Sequence, residues 1–136
     1  MVAVLNIAKF VVGTMKLTIP KLRDKVWKYC SKYILLRDKD KPCVTCNTHA
    51  ENYHAGHFIH GKNSPTYFDP RNIHKQCAKC NLYLSGNMIE YTLFMLETYG
   101  QDVVDELKQP HKNFIWKRED LEEKLEYYKV KVKELE

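Results

Sequence analysis

The chain has 136 residues and a mass of 16.1 kDa, of which 44% are hydrophobic and 29% charged. This size suits one domain with a modest core, and nine Tyr, five Phe and two Trp argue against a disordered chain. No apolar run approaches the roughly 20 residues that span a bilayer, and residues 2–12 lack the basic start of a secretory signal. The sequence therefore predicts a cytoplasmic protein without a membrane-spanning segment.

The net charge of +5 is unevenly distributed along the chain. Residues 1–42 carry ten basic and three acidic side chains, whereas residues 88–136 carry eight basic and twelve acidic ones. The basic first part indicates a surface for a polyanion such as nucleic acid, although a merely solvated surface would give the same count.

The chain is predicted to begin with an apolar arm, residues 1–17, that is either an edge strand or poorly ordered, followed by a single domain, residues 18–136. Residues 18–38 are predicted as a basic helix, because apolar side chains recur at helical spacing and Pro20 suits a first turn. The apolar stripe comprises Leu22, Val26, Tyr29, Cys30, Tyr33 and Ile34. The outer face carries Lys21, Arg23, Lys25, Lys28 and Lys32, which either contact phosphates or are solvated.

Two C-x-x-C pairs, Cys43–Cys46 and Cys77–Cys80, are separated by thirty residues. The odd total of five cysteines and the lack of an export signal favour metal binding over disulfides. Two such pairs offer four thiolates in the tetrahedral arrangement that a structural Zn²⁺ requires. A thioredoxin-like redox pair is the weaker alternative, because two pairs occur in one small chain. The fifth cysteine, Cys30, is predicted as a core thiol.

The segment between the cysteine pairs belongs to a predicted core over residues 43–87. A short strand over residues 53–60, a loop over 61–70 and an extended piece over 72–76 are followed by a helical segment opening at Asn81. A ββα unit of this kind around a metal suits phosphodiester hydrolysis. A neutral imidazole such as that of His57 can take a proton from water, and a divalent ion can stabilise charge on the phosphate.

Residues 88–136 are predicted as helices. Asn87 with Glu90 resembles a capping pair for a helix that Gly100 ends, and a shorter helix covers residues 101–108. The last helix has a narrow apolar seam formed by Leu121, Leu125, Tyr128, Val132 and Leu135. This seam either packs on its own domain or joins two copies in a homodimer.

Three ordered strings of residues resemble the phage NinG/Rap recombination proteins: HAGHF at 54–58, NIHKQCAKCN at 72–81 and LSGN at 84–87. The resemblance extends over residues 18–136. More broadly, the layout is similar to that of HNH, or His-Me finger, nucleases that cut branched DNA. The expected fold class is therefore α+β, predominantly helical, with a zinc-stapled ββα-metal core flanked by helices.

The resemblance implies a metal-dependent DNA endonuclease that cuts branched recombination intermediates such as D-loops and Holliday junctions. It implies His57 as the general base, Asn72 as the residue that holds the loop orienting the histidine strand, and Asn81 as a ligand of a catalytic Mg²⁺ or Mn²⁺. Gly56 departs from the pattern, because many HNH sites place Asp or His there as the second ligand. A bulge at Gly56 would bring His54 to the ion; His60 and water are the alternatives.

Four basic side chains near this site are predicted to contact the DNA backbone without reading bases: Lys62, Arg71, Lys75 and Lys79. Two alternatives to the nuclease remain open. One is a catalytically inactive, zinc-stabilised DNA-binding module, and the other is a zinc-bearing protein-interaction module. The expected setting is the cytoplasm of a phage-infected bacterium.

Overall fold

The structure is a computed structural model that describes residues 17–136, so the apolar arm predicted for residues 1–17 lies almost wholly outside the described residues. The described elements are, in chain order, α1 (Ile19–Arg37), β1 (Tyr53–His57), a 3-10 turn (Pro70–Asn72), β2 (Ile73–Cys77), a π-helical segment (Lys79–Tyr83), α2 (Met88–Tyr99), α3 (Gln101–Leu107) and α4 (Arg118–Leu135). The prediction of a helix-rich α+β fold is confirmed. None of the helices in residues 17–136 has the length and apolar character of a membrane span.

Helix α1 forms where the spacing of apolar residues predicted it. The Thr18 hydroxyl accepts a hydrogen bond from the Lys21 N–H at 3.3 Å, and Pro20 occupies the first turn, where its missing N–H costs nothing. The side chains that point inward from α1 are fully buried: Leu22, Val26, Cys30 and Ile34.

Helix α4 packs along this buried stripe of α1. Leu121, Leu125 and Tyr128 share one core with it, and the Tyr128 hydroxyl donates to the carbonyl of Phe68. Four of the five residues of the predicted seam are therefore buried inside the chain, and Leu135 is exposed. A separate small core joins α2 and α3 to the end of β1, and it comprises Phe58, Tyr91, Met95, Val104 and Leu107.

Strands β1 and β2 pair antiparallel without a bulge, with Tyr53 opposite Cys77 and His57 opposite Ile73. The outer edge of β2 is covered by the chain that follows α1. The Asp38 carboxylate accepts from the Lys75 N–H at 3.1 Å, and the Val44 N–H donates to the Lys75 carbonyl at 2.9 Å. These contacts fix the end of α1 to the sheet.

Three local predictions differ from the structure. The first strand ends at His57 instead of residue 60. The helical segment after Cys77 begins at Lys79 instead of Asn81, and it is π-helical, with the Leu84 N–H donating to the Lys79 carbonyl at 3.0 Å. Asn87 does not cap α2 with its side chain: its φ is +48°, and its Nδ2 donates to the Cys80 sulfur at 3.7 Å. Sequence spacing alone did not reveal that this sulfur competes for the Asn87 amide.

Candidate functional site

The four paired cysteines meet in one cluster. The sulfur atoms of Cys43, Cys46, Cys77 and Cys80 all lie within 4.8 Å of one another, although the two pairs are far apart in the chain. The Cys77 N–H donates to the Cys43 sulfur at 3.3 Å, and the Cys80 N–H donates to the Cys77 sulfur at 3.4 Å. Backbone donors of this kind stabilise thiolates, which are the form that binds metal. The cluster could therefore bind a metal such as zinc.

The electrostatics of Cys43 agree with this use. Burial raises the pKa of its thiol, but hydrogen bonds from the backbone N–H groups of Cys46 and Cys77 and from Thr45 outweigh burial and lower the pKa to about 6. The lowered pKa favours the thiolate form of Cys43, which is the form that binds a metal, whereas burial and the neighbouring cysteine thiols raise the pKa of Cys77.

His54 and Asn81 are in direct contact beside this cluster. The Nδ1 atom of His54 lies 2.9 Å from the Nδ2 atom of Asn81, across 27 positions of sequence. Strand alternation turns His54 to the opposite face of β1 from His57, toward the π-helical segment that carries Asn81. The bulge expected at Gly56 is absent, so His54 contacts Asn81 from the face of β1 opposite to His57. The exposed His60 makes no such contact with Asn81 within residues 17–136.

Gly56 is explained by its neighbour across the sheet. A Cβ atom at residue 56 would lie 2.3 Å from Oε1 of Gln76, far inside van der Waals contact. Gln76 is fully buried, and its Nε2 donates to Thr45 at 3.1 Å and to the Gly86 carbonyl at 2.7 Å, so it cannot easily move away. An Asp or His at residue 56 would not fit in this arrangement.

Replacement of Gly56 by alanine is expected to destabilise the fold by about 1–3 kcal/mol, because it overpacks the sheet against Gln76. In a Gln76→Ala background the same change should be neutral or stabilising, since alanine restricts the unfolded chain more than glycine does. Urea unfolding of the two single variants and the double variant measures this coupling. A stable Gly56→Ala protein with native Gln76 would contradict the steric explanation.

His57 is held on the other face of β1 between two aromatic rings. Its imidazole stacks on Trp27 of α1 at 4.8 Å and on Tyr67 at 4.7 Å between ring centroids. Its Nε2 lies 2.8 Å from the Tyr67 carbonyl, which can only accept, so Nε2 carries the proton of the neutral ring. Burial lowers the pKa of His57 to about 4. The ring is therefore neutral at pH 7, and Nδ1 keeps its lone pair.

Asn72 holds the loop between the two strands. Its side chain is fully buried, accepts from the Ile59 N–H at 2.8 Å, and donates to the carbonyls of Ile59 and Thr66 at 3.0 and 3.1 Å. These bonds fix both ends of the loop that contains Tyr67, the partner of His57. The geometry is what the loop-holding role requires, and the role itself stays a prediction.

The four predicted phosphate contacts have different surroundings. Lys62 and Lys79 are exposed. Lys75 is buried, and its ammonium group donates to the carbonyls of Lys39 and Lys41 at 3.2 and 2.8 Å, which does not favour a contact with DNA. Arg71 is paired with two carboxylates at 2.8 and 3.1 Å, those of Asp69 and Glu106. Only tertiary structure reveals these competing partners.

A buried polar chain that the sequence did not predict ends on the backbone of β1. The Tyr91 hydroxyl donates to the Gly56 carbonyl at 2.7 Å, and it lies 3.1 Å from Nδ1 of His74. Nε2 of His74 lies 2.8 Å from the Tyr99 hydroxyl. Burial lowers the pKa of His74 to about 3, so this imidazole is neutral as well. The His-Lys-Gln string before Cys77 gives no signal of such a network.

Acid is expected to destabilise the protein through His57 and His74. Their folded pKa values, about 4 and about 3, lie below the roughly 6.5 of an unfolded histidine, so the unfolded chain binds more protons. Their contribution to stability is complete above pH 6.5, is lost progressively as the pH falls below 6.5, and is gone once the pH lies below the folded values. Between pH 6 and 4 the free energy of unfolding should fall by up to about 1.4 kcal/mol per pH unit for each histidine. Urea unfolding of a His57→Phe variant should show a shallower slope, and an unchanged slope would contradict this origin.

The fold and the cluster define a small, helix-rich α+β domain with a two-stranded sheet and four cysteines able to hold a metal such as zinc. A family model described as bacteriophage lambda NinG protein matches residues 16–136. The chain therefore belongs to the NinG family of bacteriophage proteins, as the three residue strings predicted.

Individual relatives agree with this assignment. The chain is 37% identical over 130 residues to protein ninG of Salmonella phage P22. The matched region covers 88% of this chain and 64% of the relative. It is 35% identical over 130 residues to protein ninG of Escherichia phage lambda, with the same two coverages. The chain thus spans less than two thirds of the length of these curated relatives. No solved structure matches it.

Proposed function

We propose that the protein is a metal-dependent DNA endonuclease of the HNH type that cuts branched recombination intermediates. The observation that carries this proposal is the contact between His54 and Asn81, 2.9 Å apart beside the cysteine cluster. Two side chains of metal-ligand type, one from a strand and one from the following helical segment, are thereby held on rigid elements. The branched substrate comes from the resemblance to NinG/Rap proteins.

In the proposed reaction, Nδ1 of His57 takes the proton from the attacking water. The hydrogen bond from Nε2 to the Tyr67 carbonyl supports this assignment, because it fixes the tautomer whose free lone pair is on Nδ1. Asn72 orients the histidine indirectly, by holding the loop that contains Tyr67. Zinc on the four cysteines would fix β2 to the π-helical segment and so keep Asn81 in place.

His54 and Asn81 are the residues that would hold a catalytic Mg²⁺ or Mn²⁺. When bound, such an ion supplies a positive charge that stabilises the phosphate and the leaving oxygen. The fit is reasonable, because an imidazole nitrogen and an amide oxygen are both ordinary ligands, and the imidazole suits Mn²⁺ better than Mg²⁺. Asn81 would have to turn its oxygen toward the ion.

One observation favours the second candidate, a zinc-stabilised DNA-binding module without catalysis. His57 and His54 project from opposite faces of β1 and are three residues, or roughly 10 Å, apart along the strand. His57 is also half-buried between Trp27 and Tyr67. A histidine packed in this way can serve the fold alone.

Cleavage of labelled DNA separates the two candidates. A four-way junction, a D-loop and a matching linear duplex are incubated with purified protein in Mg²⁺, Mn²⁺ or EDTA. The nuclease predicts ion-dependent cutting of the branched substrates. Equal cutting of all three would keep the nuclease and remove its branch selectivity. Binding without cutting in any ion would favour the binding module.

A further inference from the structure

Arg23 lies beside the aromatic stack that contains His57. It precedes Trp27 by four residues in α1, so the two side chains share one face of the helix. Its Nη1 donates to Oδ1 of Asn63 at 2.9 Å. Asn63 belongs to the loop that also supplies Tyr67, whose ring stacks on both Trp27 and His57. The helix and the loop thus bring the guanidinium to the edge of the proposed site.

The positive charge of Arg23 has no counter-charge in residues 17–136. Its Nε is buried without a hydrogen-bond partner, and none of the ion pairs within residues 17–136 includes Arg23. Two other arginines differ in this respect: Arg37 is paired with Asp38 at 2.8 Å, and Arg71 with Asp69 at 2.8 Å. A half-buried guanidinium held by a neutral amide retains donors that match an anion with two oxygens, such as a phosphodiester.

We propose that Arg23 binds the DNA backbone phosphate that lies next to His57. Asn63 holds one edge of the guanidinium through Nη1, and Nη2, which is not buried and makes no hydrogen bond within residues 17–136, is the donor left for the non-bridging phosphate oxygens. This inference rests on the proposed function, because it takes DNA as the ligand. It adds a phosphate-binding residue that lies far from the zinc and histidine motifs in sequence.

Equilibrium binding in EDTA tests the contact without requiring cleavage. Affinity for the four-way junction is measured between 50 and 200 mM salt for the wild type, Arg23→Gln, Arg23→Lys and Lys28→Gln. Lys28 is an exposed charge on the same helix, about 140° around the helix axis from Arg23, and serves as the matched control because it points away from the proposed contact. Arg23→Gln should reduce the slope of log affinity against log salt by about one, the effect of losing one phosphate contact. Arg23→Lys should keep most of that slope.

Single-turnover cleavage in Mn²⁺ provides the second readout. Arg23→Gln and Arg23→Lys should both cut at least about tenfold more slowly than the wild type at saturating protein, because a lysine lacks the planar fork that orients the phosphate. Lys28→Gln should cut at the wild-type rate. Thermal unfolding checks that each variant is folded.

The outcomes separate this inference from the proposed function. If the wild type cuts and Arg23→Gln matches it in slope and rate, the Arg23 contact is wrong and the nuclease stands. If Lys28→Gln and Arg23→Gln changed the salt slope equally and cut DNA at the same rate, the change in slope would reflect net charge alone. That result would overturn the Arg23 contact. If the wild type binds DNA but never cuts it, the salt slope of binding still tests Arg23: a slope reduced by about one in Arg23→Gln supports the contact, and an unchanged slope overturns it. A wild type that binds no DNA at any of these salt concentrations would overturn both.

Discussion

Cys43→Ser is expected to prevent metal binding at the cysteine cluster and to abolish the cooperative unfolding transition of the domain. The serine hydroxyl cannot replace a thiolate ligand, and the Cys43 sulfur also accepts the Cys77 N–H inside the cluster. Structural zinc contributes about 10–16 kcal/mol in small zinc-binding peptides, which equals or exceeds the whole stability of an ordinary domain. Zinc content by mass spectrometry and thermal unfolding by circular dichroism measure the two effects.

Cys30→Ala is the matched control for this variant. Cys30 is fully buried in α1, in the core shared with α4, and burial raises the pKa of its thiol to about 12, so it is a neutral core group. Cys30→Ala should lower the free energy of unfolding by about 1–2 kcal/mol and leave the zinc content unchanged. If Cys43→Ser kept the melting temperature and metal content of the wild type, the cluster would have no part in holding the fold.

Replacement of His57 should reduce DNA cleavage by a factor of about 10²–10⁴, the usual contribution of a general base, while DNA binding in EDTA persists. His57→Phe is the sharper variant, because its ring can still stack between Trp27 and Tyr67 but offers no lone pair. His57→Ala leaves a gap that added imidazole can enter. Partial recovery of cutting by imidazole in His57→Ala would therefore separate loss of the base from loss of packing.

The pH dependence of cutting provides a further check on His57. Since the folded pKa of His57 is about 4, the proposed base is unprotonated through the neutral range, and the rate of cutting should fall only as the pH falls through about 4. A His57→Phe protein that cuts at the wild-type rate would exclude His57 as the base. The neighbouring His54 would then be the residue to test next.

The spacing of residues predicted the elements that depend on local periodicity. Leu22, Val26, Cys30 and Ile34 recur every four residues, and this periodicity is enough to define the face of the helix that is buried. The cysteine pairs were equally informative, because four thiolates in one small chain have few other uses. The cluster they form was therefore predictable without knowledge of the turns that build it.

Contacts between distant segments were not predictable. Lys75 alternates correctly in its strand, yet its ammonium group is taken up by carbonyls of Lys39 and Lys41, more than thirty residues away. From the sequence, Gly56 indicates only that a metal ligand is absent at this position. In the structure, the side chain of Gln76 occupies the space that a side chain at residue 56 would need. In both cases the sequence shows the residue type but not the partner that decides its role.

The cover on the outer edge of β2 has a consequence for the protein at high concentration. A two-stranded sheet has two open edges, and each row of unpaired N–H and C=O groups can pair with the strand of another molecule. At Lys75 both groups are already satisfied, the N–H by the Asp38 carboxylate and the C=O by the Val44 N–H. The turn that ties α1 to the sheet thus also blocks edge-to-edge aggregation at this position of the strand.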